Sequence, residues 1–344
     1  MARVIRPALV IALIGAIVWL CGGTLFPQGR GGGTARIVVY GFSILAEPLR
    51  EDIFPLFREE WRAKTGEDVE FLDSFGGSGT IANQIINGTP ADVAIFAHPG
   101  DADRLVKAGR ALADWRAGEY GGIVNRTAMV IAVRSGNPKH FQDFADLGRA
   151  GIEIVHPDPL TSGGAQWAIL AEYAEPLIRA RANGRPPSPE VAYAQLAAIW
   201  RNVVAQAPSA RAARTQFDQG FGDALITYEV ELLLDRRHGK TAEMVVPAST
   251  ILTEHPVVLV DRNVSPAKRP VVEAFVKFLT SDKAQRAFVR HGYRSVKPEL
   301  DAENPALSRL ANPFTVAELG GWDAAQREII EVAWKAHALA EARK

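Results

Sequence analysis

From Arg36 onward, short runs of β-branched residues alternate with longer amphipathic stretches, which restricts the chain to a sheet whose strands are joined by helices. IVVYGF (37–42) reads as a strand. In LREDIFPLFREEWRAKTG after it, Ile53, Phe54, Leu56, Phe57 and Trp61 recur at spacings of three and four, on one side of a helix. VEFLDSF (69–75), TIANQIING and ADVAIFA (91–97) repeat strand, helix, strand. TAMVIAVRSGN (127–137), IEIVHPDP (152–159) and HPVVLVDRN (255–263) are further strands, with helices over AQWAILAEYAEPLIRARANG, VAYAQLAAIWRNV and PVVEAFVKFLTSDKAQRAFVRHG. The pattern predicts an α/β fold with a largely parallel sheet. At 344 residues the chain exceeds what one hydrophobic core ordinarily serves. Two lobes joined by extended crossings are therefore expected, with a ligand cleft beyond the carboxyl ends of the strands. The expected division is 36–126 plus 254–344 for lobe one and 127–253 for lobe two.

Residues 1–35 stand apart. Arg3 and Arg6 precede PALVIALIGAIVWLCGGTLF, an almost wholly apolar stretch of the length a bilayer span requires, and PQGRGGGTA (27–35) follows as a flexible tether. This predicts a signal peptide or membrane anchor that delivers the remainder across the membrane, to a periplasmic location. A retained helix would give the protein a membrane contact. Cleavage, retention and lipidation at Cys21 all stay open, although the large Val18, Trp19 and Leu20 before the Cys argue against lipidation. With one Cys in the chain, disulfides and Cys-based zinc sites are excluded. Lys and Arg total 39, as do Asp and Glu; Arg3, Arg6 and Arg30 belong to the first thirty residues, which leaves the body 36 basic against 39 acidic side chains. A mildly acidic body offers no electrostatic footprint for nucleic acid.

Four segments share one design, a strand end followed by a Ser turn and a helix start: YGFSIL with Ser43, SFGGSGTIANQI with Ser78, TSGGAQWAIL with Thr161 and Ser162, and APSARAARTQF with Ser209. A helix start carries backbone N–H groups without intrahelical partners and a partial positive charge, so it can hold an anion, and a Ser hydroxyl adds a donor. Each segment alone reads first as an ordinary helix cap, and the Gly-Gly-Ser-Gly and Thr-Ser-Gly-Gly turns move the reading toward a ligand role. No Gly-Lys-Ser/Thr continuation follows either Gly-rich turn, which disfavours nucleotide binding. The seven His are scattered without metal-binding spacing, no Gly-x-Ser-x-Gly elbow occurs, and no cofactor is implied. A non-enzymatic binding protein is expected. Arg211 reads as a structural partner of Asp218, Asp223 or Glu229, and Trp167 and Trp322 read as packing residues.

The sequence resembles the periplasmic sulfate and thiosulfate binding proteins of ABC importers over most of residues 37–330. The resemblance is carried by TGEDVEFLDSFGGSGTIANQIINGTPADV, VIAVRSGNPK, HPDPLTSGGAQW, SARAARTQFDQGFGDALITYE, VVPASTILTEHPVVLVD, HGYRSVKPEL and FTVAELGGWDAAQ, in that order. It implies a two-lobe, type II periplasmic binding fold that closes on a dehydrated oxyanion, with an importer permease and its ATPase as partners. It also implies neutral donors: the Ser78 hydroxyl, the Ser162-Gly163-Gly164 turn and the Ala210 N–H. Two positions depart from the family. Tyr228 stands where the family has a donor Trp, and Tyr40-Gly41-Phe42-Ser43 replaces a Ser-Tyr-Asp-Pro turn, leaving a backbone N–H and the Ser43 hydroxyl at that corner. The ligand is expected to be sulfate, thiosulfate or another oxyanion such as phosphate, molybdate or tungstate. Asp158, Asp223 or Glu229 pointing into the cleft would weaken the sulfate reading. A membrane-tethered sensor or scaffold domain of the same fold is the alternative function.

Overall fold

The computed structural model describes residues 34–342, so the expected leader helix and Cys21 lie outside the described residues. Among the described residues no helix is long and apolar enough to cross a membrane.

The first part of the chain builds β1 (Ala35–Phe42), α1 (Phe54–Thr65), β2 (Val69–Gly76), α2 (Ser78–Ile86), β3 (Val93–Ile95) and α3 (Pro99–Lys107). Strands β2, β1 and β3 lie side by side and parallel, with Val39 opposite both Asp73 and Val93. The helical spacing is realised as packing: Phe54 stacks on Phe71 at 4.1 Å, and Phe57 meets Phe275 edge-on at 5.2 Å.

The long strand β4 (Ile123–Val133) then carries the chain into a second half. There β5 (Ile154–Pro157), α4 (Gly163–Ala182), α5 (Pro189–Arg201), β6 (Val203–Ala207), α6 (Ala210–Asp218), β7 (Ala224–Tyr228), α7 (Glu229–Arg237) and β8 (Glu243–Val245) follow one another. Strand β5 is parallel to both β6 and β7. Strand β9 (Ser249–Leu259) returns, followed by α8 (Arg269–Phe278), α9 (Asp282–Arg290) and β10 (Asn312–Phe314).

The sheet order is β2-β1-β3-β9-β4-β7-β5-β6, and the sheet is less uniformly parallel than the sequence pattern predicts. Strand β9 runs antiparallel to β3 and β4, and β4 runs antiparallel to β7. The reason is topological. These two strands are the crossings between halves, so each enters its new half from the opposite direction. Inside each half, consecutive strands joined by helices remain parallel, and the carboxyl ends of β1, β2, β3, β5, β6 and β7 all open on one cleft.

The C-terminal helix, Trp322–Ala325 continuing as Gln326–Ala338, buries Ile329, Ile330 and Trp334. Its partners are α4 and α5, with Trp334 5.1 Å from Trp200 and His337 5.8 Å from Tyr193. Sequence reasoning grouped 254–344 with lobe one; an amphipathic pattern tells which face is buried and not which surface buries it.

Candidate site at converging helix starts

At the cleft, β2, β5 and β6 each turn into a helix through a Ser- or Gly-containing step. Gly77 is the N-cap of α2, Ser162 of α4 and Ser209 of α6. The three caps meet. A Cβ added at Gly77 would stand 2.4 Å from the Thr161 carbonyl oxygen and 2.5 Å from that of Pro208, so only glycine admits this approach of three backbones. The Gly79 N–H donates to Thr161 O at 3.1 Å. Gly163 lies against Ser78, and Gly164 lies under Tyr228, whose hydroxyl would be 2.9 Å from an added Cβ. The first-turn amides of α2, α4 and α6, which helical geometry leaves without intrahelical acceptors, are thereby gathered at one place.

The hydroxyls divide into two kinds. Ser209 Oγ accepts from Ala212 N at 3.1 Å and is an ordinary cap, which leaves buried Ala210 as the first helical residue of α6. Ser162 is 3% exposed, and its hydroxyl makes no capping bond; its N–H donates to Asp158 O at 2.8 Å. Ser78 departs from the expectation that its hydroxyl serves an anion. It donates to Asp101 Oδ2 at 2.6 Å and accepts from Ala97 N at 3.0 Å, so its proton is already committed. What Ser78 offers the cleft is its backbone N–H. Ser43 opens the short Ser43–Leu45 turn beyond β1, half-buried, and this turn packs against α6.

Tyr228, at the end of β7, is fully buried and its hydroxyl has no hydrogen-bond partner. Its ring is held by Phe42 at 6.2 Å and His255 at 5.8 Å. Burial, reinforced by the negative Glu231, pushes the phenol well above its ordinary pKa, so it keeps its proton and can donate. A buried, unsatisfied hydroxyl in a native core calls for an explanation, and a ligand is one.

Charge near the cleft is internally neutralised. Arg211 binds Glu47 through Nη1 at 2.6 Å and Nη2 at 3.0 Å, and also Glu231 at 2.7 Å. Arg214 binds Glu231 at 2.9 Å and Asp235 at 3.0 Å. The partners expected for Arg211 from sequence, Asp218, Asp223 and Glu229, are not the ones it takes: Glu47 reaches it from the other half, 164 residues away. Glu229 is held by Arg294 at 2.8 Å and by the Ser308 N–H, Asp223 accepts from Glu153 N, and Asp158 accepts from Leu160 N. None of these acids turns into the cleft.

Sequence reasoning missed Asp101, the carboxylate that takes the Ser78 proton. It is 2% exposed and balanced by Arg104 at 2.9 Å, with Nε2 of His98, an imidazole whose pKa burial lowers, at 3.3 Å. Trp167 is packed on α4 as expected, but its indole N–H also donates across the cleft to Ala97 O at 2.5 Å. Two of the other buried His serve the core. His255 bonds Asn125 Oδ1 at 2.5 Å and Thr253 Oγ1 at 2.9 Å, and His156 bonds Glu172 at 3.1 Å.

Two half-sheets joined by crossing strands, with helix starts converging between them, define a two-lobe solute receptor of the type II periplasmic binding fold. A periplasmic thiamin binding protein shares that fold at a TM-score of 0.60 and 14% identity, covering 93% of this chain and 98% of its own. The family model described as bacterial extracellular solute-binding protein matches residues 37–294. The sulfate-binding protein of Synechococcus elongatus is 33% identical over 90% of this chain and 87% of its own length, and that of Escherichia coli is 34% identical over 81% and 85%. The thiosulfate-binding protein of Pseudomonas aeruginosa is 31% identical over 79% and 82%. Among solved structures, the sulfate-binding protein SubI from Mycobacterium tuberculosis superimposes with a TM-score of 0.77 at 31% identity, covering 86% of this chain and 99% of that one. The chain belongs to the bacterial extracellular solute-binding proteins, in the branch of the sulfate- and thiosulfate-binding proteins.

Proposed function

We propose that this protein binds sulfate or thiosulfate between its lobes and hands the anion to the permease and ATPase of an ABC importer. The observation that carries the reading is the meeting of the α2, α4 and α6 starts around the unpartnered Tyr228 hydroxyl, with every nearby Arg already paired to an acid. Such a cage holds a fully ionised anion with neutral dipoles and donors. The contacts are the Ser43 corner, the Ser78 N–H, the Ser162-Gly163-Gly164 turn, the Ala210 N–H and the Tyr228 hydroxyl. The protein acts as a receptor with no catalytic step. It works outside the cytoplasm, tethered by its N-terminal helix if that helix is retained.

The lobes divide where β4 and β9 cross, near 126/127 and 253/254, with the C-terminal helix riding on lobe two. Closure joins Gly79 to Thr161, Ala97 to Trp167 and Glu47 to Arg211, so affinity is tied to the closed population. Titration calorimetry with sulfate, thiosulfate, phosphate, molybdate and tungstate tests the proposal. Saturable binding of sulfate or thiosulfate, at least tenfold tighter than phosphate, is expected; equal or tighter phosphate binding overturns it.

A further inference from the structure

Trp322 lies outside the anion cage, yet it touches both sides of the cleft. Its ring stacks on His98 at 4.2 Å and 11°, and meets Trp167 edge-on at 5.0 Å. It also nests over the Gly100 backbone, where an added Cβ would stand 2.1 Å from the indole nitrogen. His98 and Gly100 belong with β3 and α3, whereas Trp167 belongs to α4. The indole begins the C-terminal helix, whose Trp334 and His337 are seated on α5. Immediately before it, Gly320 and Gly321 have φ of 83° and 85°, a pair of left-handed residues that only glycine adopts without strain. The helix is thus fixed to the second half and jointed to the preceding chain.

The contacts close a ring. Asp101 accepts from the Ser78 hydroxyl, Ser78 Oγ accepts from Ala97 N–H, and Ala97 C=O accepts from Trp167. Trp167 packs on Trp322, Trp322 stacks on His98, and His98 Nε2 faces Asp101 at 3.3 Å. Ser78, a member of this ring, and Gly163, which lies against Ala97, His98 and Ser78, are among the residues whose N–H groups are assigned to the cage. On the interlobe reading of the site, opening the cleft would separate Ala97 from Trp167 and withdraw Trp322 from His98, which would confine these contacts to the closed form.

We propose that Trp322 and Trp167 are positioning residues for closure, and that the C-terminal helix is a strap that sets the anion's residence time by clasping one lobe to the other. They do not touch the anion; they stabilise the state in which the cage is complete. The inference rests on the interlobe reading of the site. The consequence is kinetic, because contacts made only after closure slow dissociation and leave the encounter unchanged.

The test uses Trp167→Phe, which keeps an aromatic ring and removes the N–H, Trp322→Ala, and the conservative Trp322→Phe. Sulfate association and dissociation are followed by stopped-flow fluorescence. In parallel, spin labels at Leu72→Cys and Val204→Cys in a Cys21→Ser background report the lobe separation without ligand; both positions are exposed. Trp167→Phe should dissociate about fivefold faster, as the loss of one neutral hydrogen bond implies. Trp322→Ala should dissociate about tenfold faster, with unchanged association and a wider ligand-free separation, and Trp322→Phe should return to within twofold of the wild type. Wild-type dissociation and separation in both Trp167→Phe and Trp322→Ala overturn the strap, as does an effect confined to association. If the wild type itself binds no sulfate or thiosulfate, the proposed function fails, and the label distances alone decide the strap. A Trp322→Ala chain that does not fold leaves Trp167→Phe to decide it.

Discussion

Tyr228→Phe separates a ligand role from a structural one, because the two roles predict opposite outcomes. The phenol is fully buried, its hydroxyl has no partner in the protein, and its ring contacts with Phe42 and His255 do not involve the oxygen. Removing the oxygen therefore breaks no protein hydrogen bond. An unsatisfied buried polar group costs about 1–3 kcal/mol, so ligand-free stability should hold or rise. The anion loses a hydrogen bond to a charged partner, worth about 1.5–3 kcal/mol, which corresponds to about 10- to 150-fold weaker binding. Urea unfolding without ligand measures the first quantity and sulfate titration calorimetry the second. Affinity within twofold of the wild type, or a loss of more than about 1 kcal/mol of ligand-free stability, would refute the assignment of this hydroxyl to the ligand.

The other predictions concern the turns and the buried ionisable groups. Gly77→Ala drives a methyl group into two lobe-two carbonyl oxygens that Gly77 approaches on closure, so sulfate binding should fall by more than about 100-fold while ligand-free stability changes little; binding within tenfold contradicts the closure geometry. Ser162→Ala should weaken anion binding by about 1–3 kcal/mol with little effect on unfolding, whereas Ser78→Ala, which strips the buried Asp101 of one of its donors, should cost a similar amount of stability; the reverse pattern in paired unfolding and titration curves would exchange the two roles. His255 is pulled down to about 3 by burial, with the His98 and Arg126 charges adding, so its unfolded form gains a proton below about pH 6.5 that the native form refuses. That contribution is complete above pH 6.5 and fades as the pH falls toward 3. Glu175, pushed up to about 7 by burial and the Asp143 charge, works the other way: its native form takes a proton first, and stability rises as the pH drops through 7. Each amounts to about 2 kcal/mol between pH 7.5 and 5, so Glu175→Gln should lose about 2 kcal/mol over that interval relative to the wild type. Urea midpoints at the two pH values check it, and parallel profiles for the two proteins would sink it.

What was legible in the sequence was local. Alternating strands and amphipathic helices announced the lobes, and Ser or Gly at the strand-to-helix steps announced the converging turns, because caps and turns are encoded within a few residues. What was hidden depends on long-range pairing. The Ser78 hydroxyl turns to Asp101, which stands 23 residues away on another helix, and Arg211 takes Glu47, 164 residues away. The sequence shows that Tyr228 replaces a Trp, but only the packing shows that its hydroxyl is left without a partner. Antiparallel pairing of β4 and β9 is equally invisible in their composition, since buried strands of either direction read as apolar runs.

Those two crossing strands also decide how the receptor moves. Residues Ile123 to Ala128 of β4 lie beside Leu252 to Pro256 of β9, laddered together by hydrogen bonds. The joint is therefore a ribbon and not two independent threads. The ladder between the strands resists sliding of one past the other, so lobe opening is expected to run as a bend of this ribbon, like the covers of a book on one spine. If the proposed cage holds the anion, one too large for it would find no sideways slip of a lobe to make room and would hold the covers ajar, so selection by size would become selection by how far the book can shut.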